Sequence, residues 1–80
     1  MEFPFYEIQL KPRRLESGKY KAGCSIREHT GDSVIDILPR WELNSEFESK
    51  EAANRIMKFN AKQFLRREYG PEVLKKVKFG

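Results

Sequence analysis

Cys24 and His29 are the one pair of residues in this chain that could act as a nucleophile and its general base. Five positions separate them within a stretch of alternating polarity, so an extended backbone would hold them about 16 Å apart on opposite faces. A catalytic pair must lie within hydrogen-bond reach. We therefore interpret Cys24 as a small buried hydrophobic residue and His29 as a solvated turn residue. We predict no catalytic residues and no enzymatic activity.

Metal and cofactor chemistry has equally little support. One cysteine and one histidine cannot supply a structural zinc tetrad. Acidic residues gather before the predicted helix, but they lack the alternating spacing and the glycine of a calcium loop: Glu42, Glu46, Glu48 and Glu51. The glycines do not form a phosphate-binding loop. The sequence predicts no metal and no cofactor.

Basic residues form the pattern that favours binding. The chain has 16 Lys and Arg against 12 Asp and Glu, a net charge of +4. The sign alternates in blocks: −2 over residues 1–10, +4 over 11–30, −4 over 31–54 and +6 over 55–80. This distribution predicts a dipolar surface that meets an anionic partner, either a nucleic acid or an acidic protein.

Two sets of basic residues would lie on opposite sides of the domain, so one duplex could not contact both. The sheet set would lie on the outer face of the sheet: Lys11, Arg13, Lys19, Lys21 and Arg27. The helix set follows helical spacing: Arg55, Lys58, Lys62 and Arg66. The alternative for the helix set is an ordinary solvated helix face. We predict weak nucleic-acid binding through the sheet set, driven by phosphate contacts, with the helix set as a second candidate surface.

The elements that position these residues predict one α+β domain over residues 1–80. Alternating polarity predicts strands near 5–12, 19–28 and 33–38, the last ended by Pro39. A 3.6-residue period predicts a helix near 50–69, with a possible further helical turn over 72–77. The fold would be a three-stranded antiparallel meander with the helix packed on one face, a β-β-β-α order. The helix would bury five strand residues: Ile8, Leu10, Ala22, Cys24 and Ile26.

The ends of the helix have local signals. Ser49 is the predicted N-cap, with Ser45 and Glu48 as a competing capping box. Gly70 and Pro71 stop the helix. Its apolar face would comprise Ala52, Ala53, Ile56, Met57, Phe64 and Leu65. Asn60 and Arg67 also fall in this apolar arc, so we expect Asn60 to bond strand backbone or Ser/Thr hydroxyls and Arg67 to extend to solvent near the helix end. The alternative is a small cleft that they form with Asp36.

Short motifs along most of residues 6–69 resemble two groups of proteins. They are Tyr6-x-Ile8, Pro12, Gly18-x-Tyr20-x-Ala22, Ile26, Gly31 and Phe47-x-Ser49-x-Glu51-Ala52. The frame resembles small, uncharacterised bacterial β-β-β-α proteins, a resemblance that implies no catalytic residues. It is also similar to the arm-type DNA-binding domains of phage integrases. That likeness implies a three-stranded sheet in the major groove, with Lys19, Lys21, Ser25 and Arg27 on the reading face.

Apolar residues outside the predicted core favour an alternative function. Trp41 and Leu43 follow the third strand, and with Phe3, Phe5 and Phe79 they exceed what one small sheet face can bury. Such a patch around Trp41 would make the chain a protein-interaction module or a homodimer. The single cysteine and the absence of a secretory signal predict a cytoplasmic protein. A mean hydropathy of −0.74 predicts no membrane span.

Overall fold

The chain folds into a small α+β unit in which one long helix packs against a mixed five-stranded sheet. A computed structural model describes residues 2–80. The strands are β1 (Phe5–Leu10), β2 (Arg13–Arg14), β3 (Tyr20–His29), β4 (Val34–Phe47) and β5 (Val77–Phe79). The helix α1 spans Lys50–Tyr69, and a 3-10 helix follows at Pro71–Lys76. No helix in residues 2–80 combines the length and the apolar character needed to span a membrane.

Strand β3 lies at the centre of the sheet. It pairs antiparallel with β1 and β2 on one side and with β4 on the other. The predicted antiparallel meander is therefore present as β1, β3 and β4. The prediction of a three-stranded sheet was incomplete. Strand β5 adds a strand parallel to β1, with Val77 opposite Tyr6 and Phe79 opposite Ile8. The predicted turn at 72–77 is the 3-10 helix that leads into this strand.

The end of the third predicted strand was wrong. Strand β4 continues through Pro39 to Phe47, so the segment that includes Trp41 is a strand rather than an irregular connection. Proline is tolerated because β4 is paired on one side, to β3, and an edge strand does not need every backbone N–H. The register with β3 shifts at three places, one of them beside Gly23. A Cβ at Gly23 would lie 2.8 Å from the carbonyl oxygen of Lys11, so glycine is required by this close approach.

The core lies between α1 and one face of the sheet. Four of the five strand residues predicted beneath the helix are fully buried, and Leu10 is half-buried against them. The helix contributes Ala53, Met57, Ala61 and Leu65, which recur every four residues and share a face. Ala52 and Phe64 lie at the margin of this face, and Ile56 is exposed. The buried face of the helix is therefore rotated by a fraction of a turn from the predicted apolar face.

Local signals set both ends of α1 as predicted. The Ser49 hydroxyl accepts a hydrogen bond from the Ala52 backbone N–H at 3.1 Å, so Ser49 is the N-cap. Gly70 ends the helix with φ of 92°, and its N–H donates to the Arg66 carbonyl at 2.9 Å. Glycine adopts this backbone conformation without the steric cost that a Cβ imposes.

Cys24 is buried in the core, as its place in the alternating pattern predicted. Burial raises the pKa of the Cys24 thiol to about 11. The thiol is therefore protonated at neutral pH, and a protonated thiol is a poor nucleophile. Cys24 acts here as a packing residue.

Candidate functional site

The sheet set of basic residues lies next to acidic residues of β4. Arg13 donates two hydrogen bonds to the Glu42 carboxylate, at 3.0 and 2.8 Å. Arg27 pairs with Asp36 at 3.1 Å, and Lys19 lies 3.6 Å from the Glu48 carboxylate, just beyond the strand. Arg27 and Asp36 are direct partners in the register of β3 and β4, and Arg13 reaches Glu42 from β2 because β2 and β4 both pair with the same end of β3.

The remaining members of the sheet set differ from one another. The Lys21 ammonium donates to the Asn44 backbone carbonyl at 2.6 Å, opposite Glu46 in the register. Lys11 is exposed, and no carboxylate in residues 2–80 forms a salt bridge with it. Ser25, which the integrase resemblance places on the reading face, is buried. The outer sheet face thus carries alternating charges rather than a continuous basic surface.

These ion pairs are exposed, so each contributes little to folding free energy. They nevertheless change the electrostatics of the face. The hydrogen bond from Arg13 is the main cause that lowers the pKa of the Glu42 carboxyl, with Arg40 and Lys21 adding to it. Glu42 therefore stays ionised at neutral pH and repels a phosphate that approaches Arg13.

The helix set has different surroundings. Among residues 2–80, none of its four members forms a salt bridge with a carboxylate. Two of them converge on one aromatic ring: the Lys58 and Lys62 ammonium nitrogens lie 5.3 and 5.4 Å from the centroid of Phe79. We call the four basic residues together with Phe79 the helix–β5 face.

Strand β5 holds Phe79 in place beside the helix. Phe79 pairs with Ile8 of β1, and the next backbone N–H, of Gly80, donates to the Ile8 carbonyl at 3.1 Å. The Phe79 side chain is still 41% exposed. The helix–β5 face therefore combines unneutralised positive charge with an accessible aromatic ring, a pairing of groups that suits an anionic ligand with a flat apolar part.

The prediction of His29 as a solvated turn residue was wrong, because His29 is the last residue of β3 and is half-buried. His29 Nε2 is 2.9 Å from a Glu7 carboxylate oxygen, and its ring stacks on Phe5 with centroids 4.4 Å apart. These three residues lie on the sheet face opposite the core. Within residues 2–80, no group of three or more His, Cys, Asp or Glu side chains is placed to hold a metal ion.

The proposed cleft of Asn60, Arg67 and Asp36 does not form. The Asn60 amide donates to the Ile56 carbonyl of its own helix at 2.9 Å, and Arg67 is exposed. Asp36 faces Arg27 on the other side of the sheet. Asn60 therefore bonds the backbone of its own helix, and the prediction of a strand-backbone or hydroxyl partner was wrong.

A second surface lies along the flank of α1 next to β4. Trp41 is half-buried, and its ring lies 5.9 Å from that of Phe64. Ile56 lies eight residues before Phe64, on the same side of the helix, and is 38% exposed. The outer edge of β4 pairs with no other strand in residues 2–80. We call Trp41 and Ile56 the β4 flank.

The fold and these surfaces define a small compact α+β domain. No protein-family model, no curated protein and no solved structure matches the chain. Its function must therefore be inferred from the arrangement of its own side chains.

Sequence reasoning identified the helix set but missed Phe79. We assigned that residue only to an apolar surplus, because three residues after a helical turn give too weak a pattern to predict a strand. One signal was available: Val77 and Phe79 alternate with Lys76 and Lys78, as in a half-buried strand.

Proposed function

We propose that this chain is a small non-enzymatic module that binds the phosphate backbone of a nucleic acid through the helix–β5 face. The main observation behind the proposal is that the two sets of basic residues differ in their salt bridges. Asp36 and Glu42 of β4 and Glu48 just beyond it pair with three of the five members of the sheet set, whereas the helix set has no salt-bridge partner in residues 2–80. Unpaired cations are free to replace the counterions of a nucleic acid.

The spacing of the helix set supports the same proposal. Arg55 and Arg66 are eleven residues apart, so the four cations cover about 16 Å of helix. After the helix, Lys76 forms no salt bridge in residues 2–80, whereas Lys75 pairs with Glu72 and Lys78 lies over Phe5 on the opposite face of the sheet. A row of cations on a rigid helix favours an extended polyanion over a single small anion. The integrase resemblance would instead place the contact on the sheet, where the ion pairs oppose it.

Neutralising two lysines on each surface tests the proposal. We expect Lys58→Gln with Lys62→Gln to weaken nucleic-acid binding by about tenfold at low salt and to make the salt dependence shallower by about 0.7–0.9 per lost contact. Glutamine preserves helix propensity, so the loss would reflect charge. Fluorescence anisotropy with a labelled oligonucleotide over a range of salt concentrations measures both quantities.

Lys19→Gln with Lys21→Gln is the matched control, because it changes the net charge by the same amount. Binding should change little, since Lys19 already contacts Glu48 and Lys21 contacts a backbone carbonyl. A larger loss in this control would place the site on the sheet. Equal losses would indicate non-specific cationic attraction, and no binding at low salt would exclude the proposed function.

Exposed apolar residues favour self-association as a second candidate function. The β4 flank presents Ile56 beside an unpaired strand edge on which Val34 and Ile35 are also exposed, and burying these residues against a second copy of the chain would remove apolar surface from water. If the protein is a dimer in sedimentation velocity, Ile56→Ser should shift it to monomer. Leu74→Ser, at a residue of similar chemistry that is 42% exposed elsewhere, should not. A wild-type monomer at high concentration would remove this candidate.

A further inference from the structure

We infer that the ligand of the helix–β5 face is single-stranded nucleic acid, with one base stacked on Phe79 and the adjoining phosphate held by Lys58 and Lys62. This inference rests on the proposed function and specifies the form of nucleic acid that the site accepts. It starts from the three side chains that converge at one point beside β5.

The two lysines form an unfavourable pair in the free protein. Lys58 and Lys62 lie four residues apart on α1, where like charges repel and destabilise the helix. Both ammonium groups lie within 5.4 Å of the same ring centroid, and no acidic partner in residues 2–80 separates them. A phosphate placed between them would remove this repulsion. The geometry therefore favours an anion supplied from outside the chain.

The aromatic ring distinguishes single strands from duplexes. The bases of a duplex stack on one another and turn their faces away from a bound protein, so a duplex could use the lysines but not Phe79. A single strand can turn a base out to stack on an aromatic side chain while its backbone follows a basic groove. Phe79 is suited to this because its ring is accessible and its backbone is fixed by pairing with β1.

The position of Phe79 adds a steric reason. The residue lies in an edge strand, and no further strand pairs with the outer side of β5 in residues 2–80. Its ring can therefore be reached from the side as well as from above. The lysines are flexible, and their ammonium groups can move from the ring to a phosphate without any change in the backbone.

Phe79→Leu tests the inference, because leucine keeps an apolar side chain but removes the stacking surface. We expect this change to weaken binding of a labelled oligothymidine by between about 5- and 150-fold. Binding of a duplex of equal length should stay within about twofold, since its contacts are phosphate contacts alone. Phe3→Leu is the matched control and should change neither, because Phe3 is 49% exposed and packs on Phe5 at the sheet face opposite the core.

The outcomes separate the inference from the proposed function. Salt-dependent binding of both probes with no effect of Phe79→Leu would overturn the inference and leave phosphate binding intact. Equal loss of both probes on Phe79→Leu would also overturn it, because the ring would then support the lysines rather than a base. Absence of binding to either probe at low salt would overturn both. Circular dichroism of the variant establishes that the fold is unchanged.

Discussion

Leu65→Ala should be among the most destabilising single changes in this protein, lowering the free energy of unfolding by about 2–5 kcal/mol. Leu65 is 0% exposed in the last turns of α1 and belongs to the core that joins the helix to the sheet. Removing its side chain takes away buried apolar surface and leaves a cavity, because well-packed neighbours relax only partly.

The expected loss is a large share of the protein's total free energy of unfolding. An 80-residue domain has a free energy of unfolding of about 4–12 kcal/mol. The midpoint of thermal unfolding should therefore fall by about 8–40 °C, at about 4–8 °C for each kcal/mol. Chemical denaturation followed by circular dichroism measures the first quantity, and a thermal melt measures the second.

Leu74→Ala is the matched control, since it deletes the same atoms at a residue that is 42% exposed in the 3-10 helix. Its effect should stay within about 0.5 kcal/mol. Comparable destabilisation by the two substitutions would contradict the packing of α1 on the sheet described here.

Removing acidic charge from β4 should create a nucleic-acid-binding surface on the sheet. Asp36→Asn with Glu42→Gln would release Arg27 and Arg13 from their ion pairs. We expect affinity for an oligonucleotide to rise about tenfold at low salt and the salt dependence to steepen by about 0.7–0.9 for each new phosphate contact. The fold should tolerate the change, because exposed ion pairs contribute at most about 1 kcal/mol each.

Glu2→Gln with Glu16→Gln raises the net charge equally and serves as the control. Both residues are exposed, and neither forms a salt bridge in residues 2–80. We expect a smaller gain from this pair. Equal gains would show that net charge alone governs binding, and that the pairing of β3 with β4 does not decide which surface is available.

Much of the fold follows from local patterns. The alternation of Tyr20, Ala22, Cys24 and Ile26 predicted the buried face of β3, because side chains in a strand point to opposite faces in turn. The long strand β4 was not predicted over its full length. Pro39 is a local signal for the end of a strand. The strand continues because β4 lies at the edge of the sheet, where proline is tolerated, and no local sequence pattern shows that position.

The candidate site, like the fold, could be predicted only in part from local patterns. Helical spacing alone brought Arg55, Lys58, Lys62 and Arg66 to one surface, because four residues make about one turn. Helical spacing could not show that Phe79 lies beneath Lys58 and Lys62. That contact joins residues about twenty positions apart, and it depends on β5 returning to pair with β1 at the far end of the chain.

The sequence by itself determined the ends of α1, the identity of the core residues on β1 and β3, and the alternation of charge along the chain, since each depends on neighbours within a few positions. Tertiary structure decided which of those charges are neutralised by ion pairs. The registers of β2 and β4 against β3 bring Arg13 to Glu42 and Arg27 to Asp36, whereas none of the four helix cations forms a salt bridge in residues 2–80. A strand register is set by packing across the whole sheet, so charges distant in sequence cancel on one surface and remain on the other.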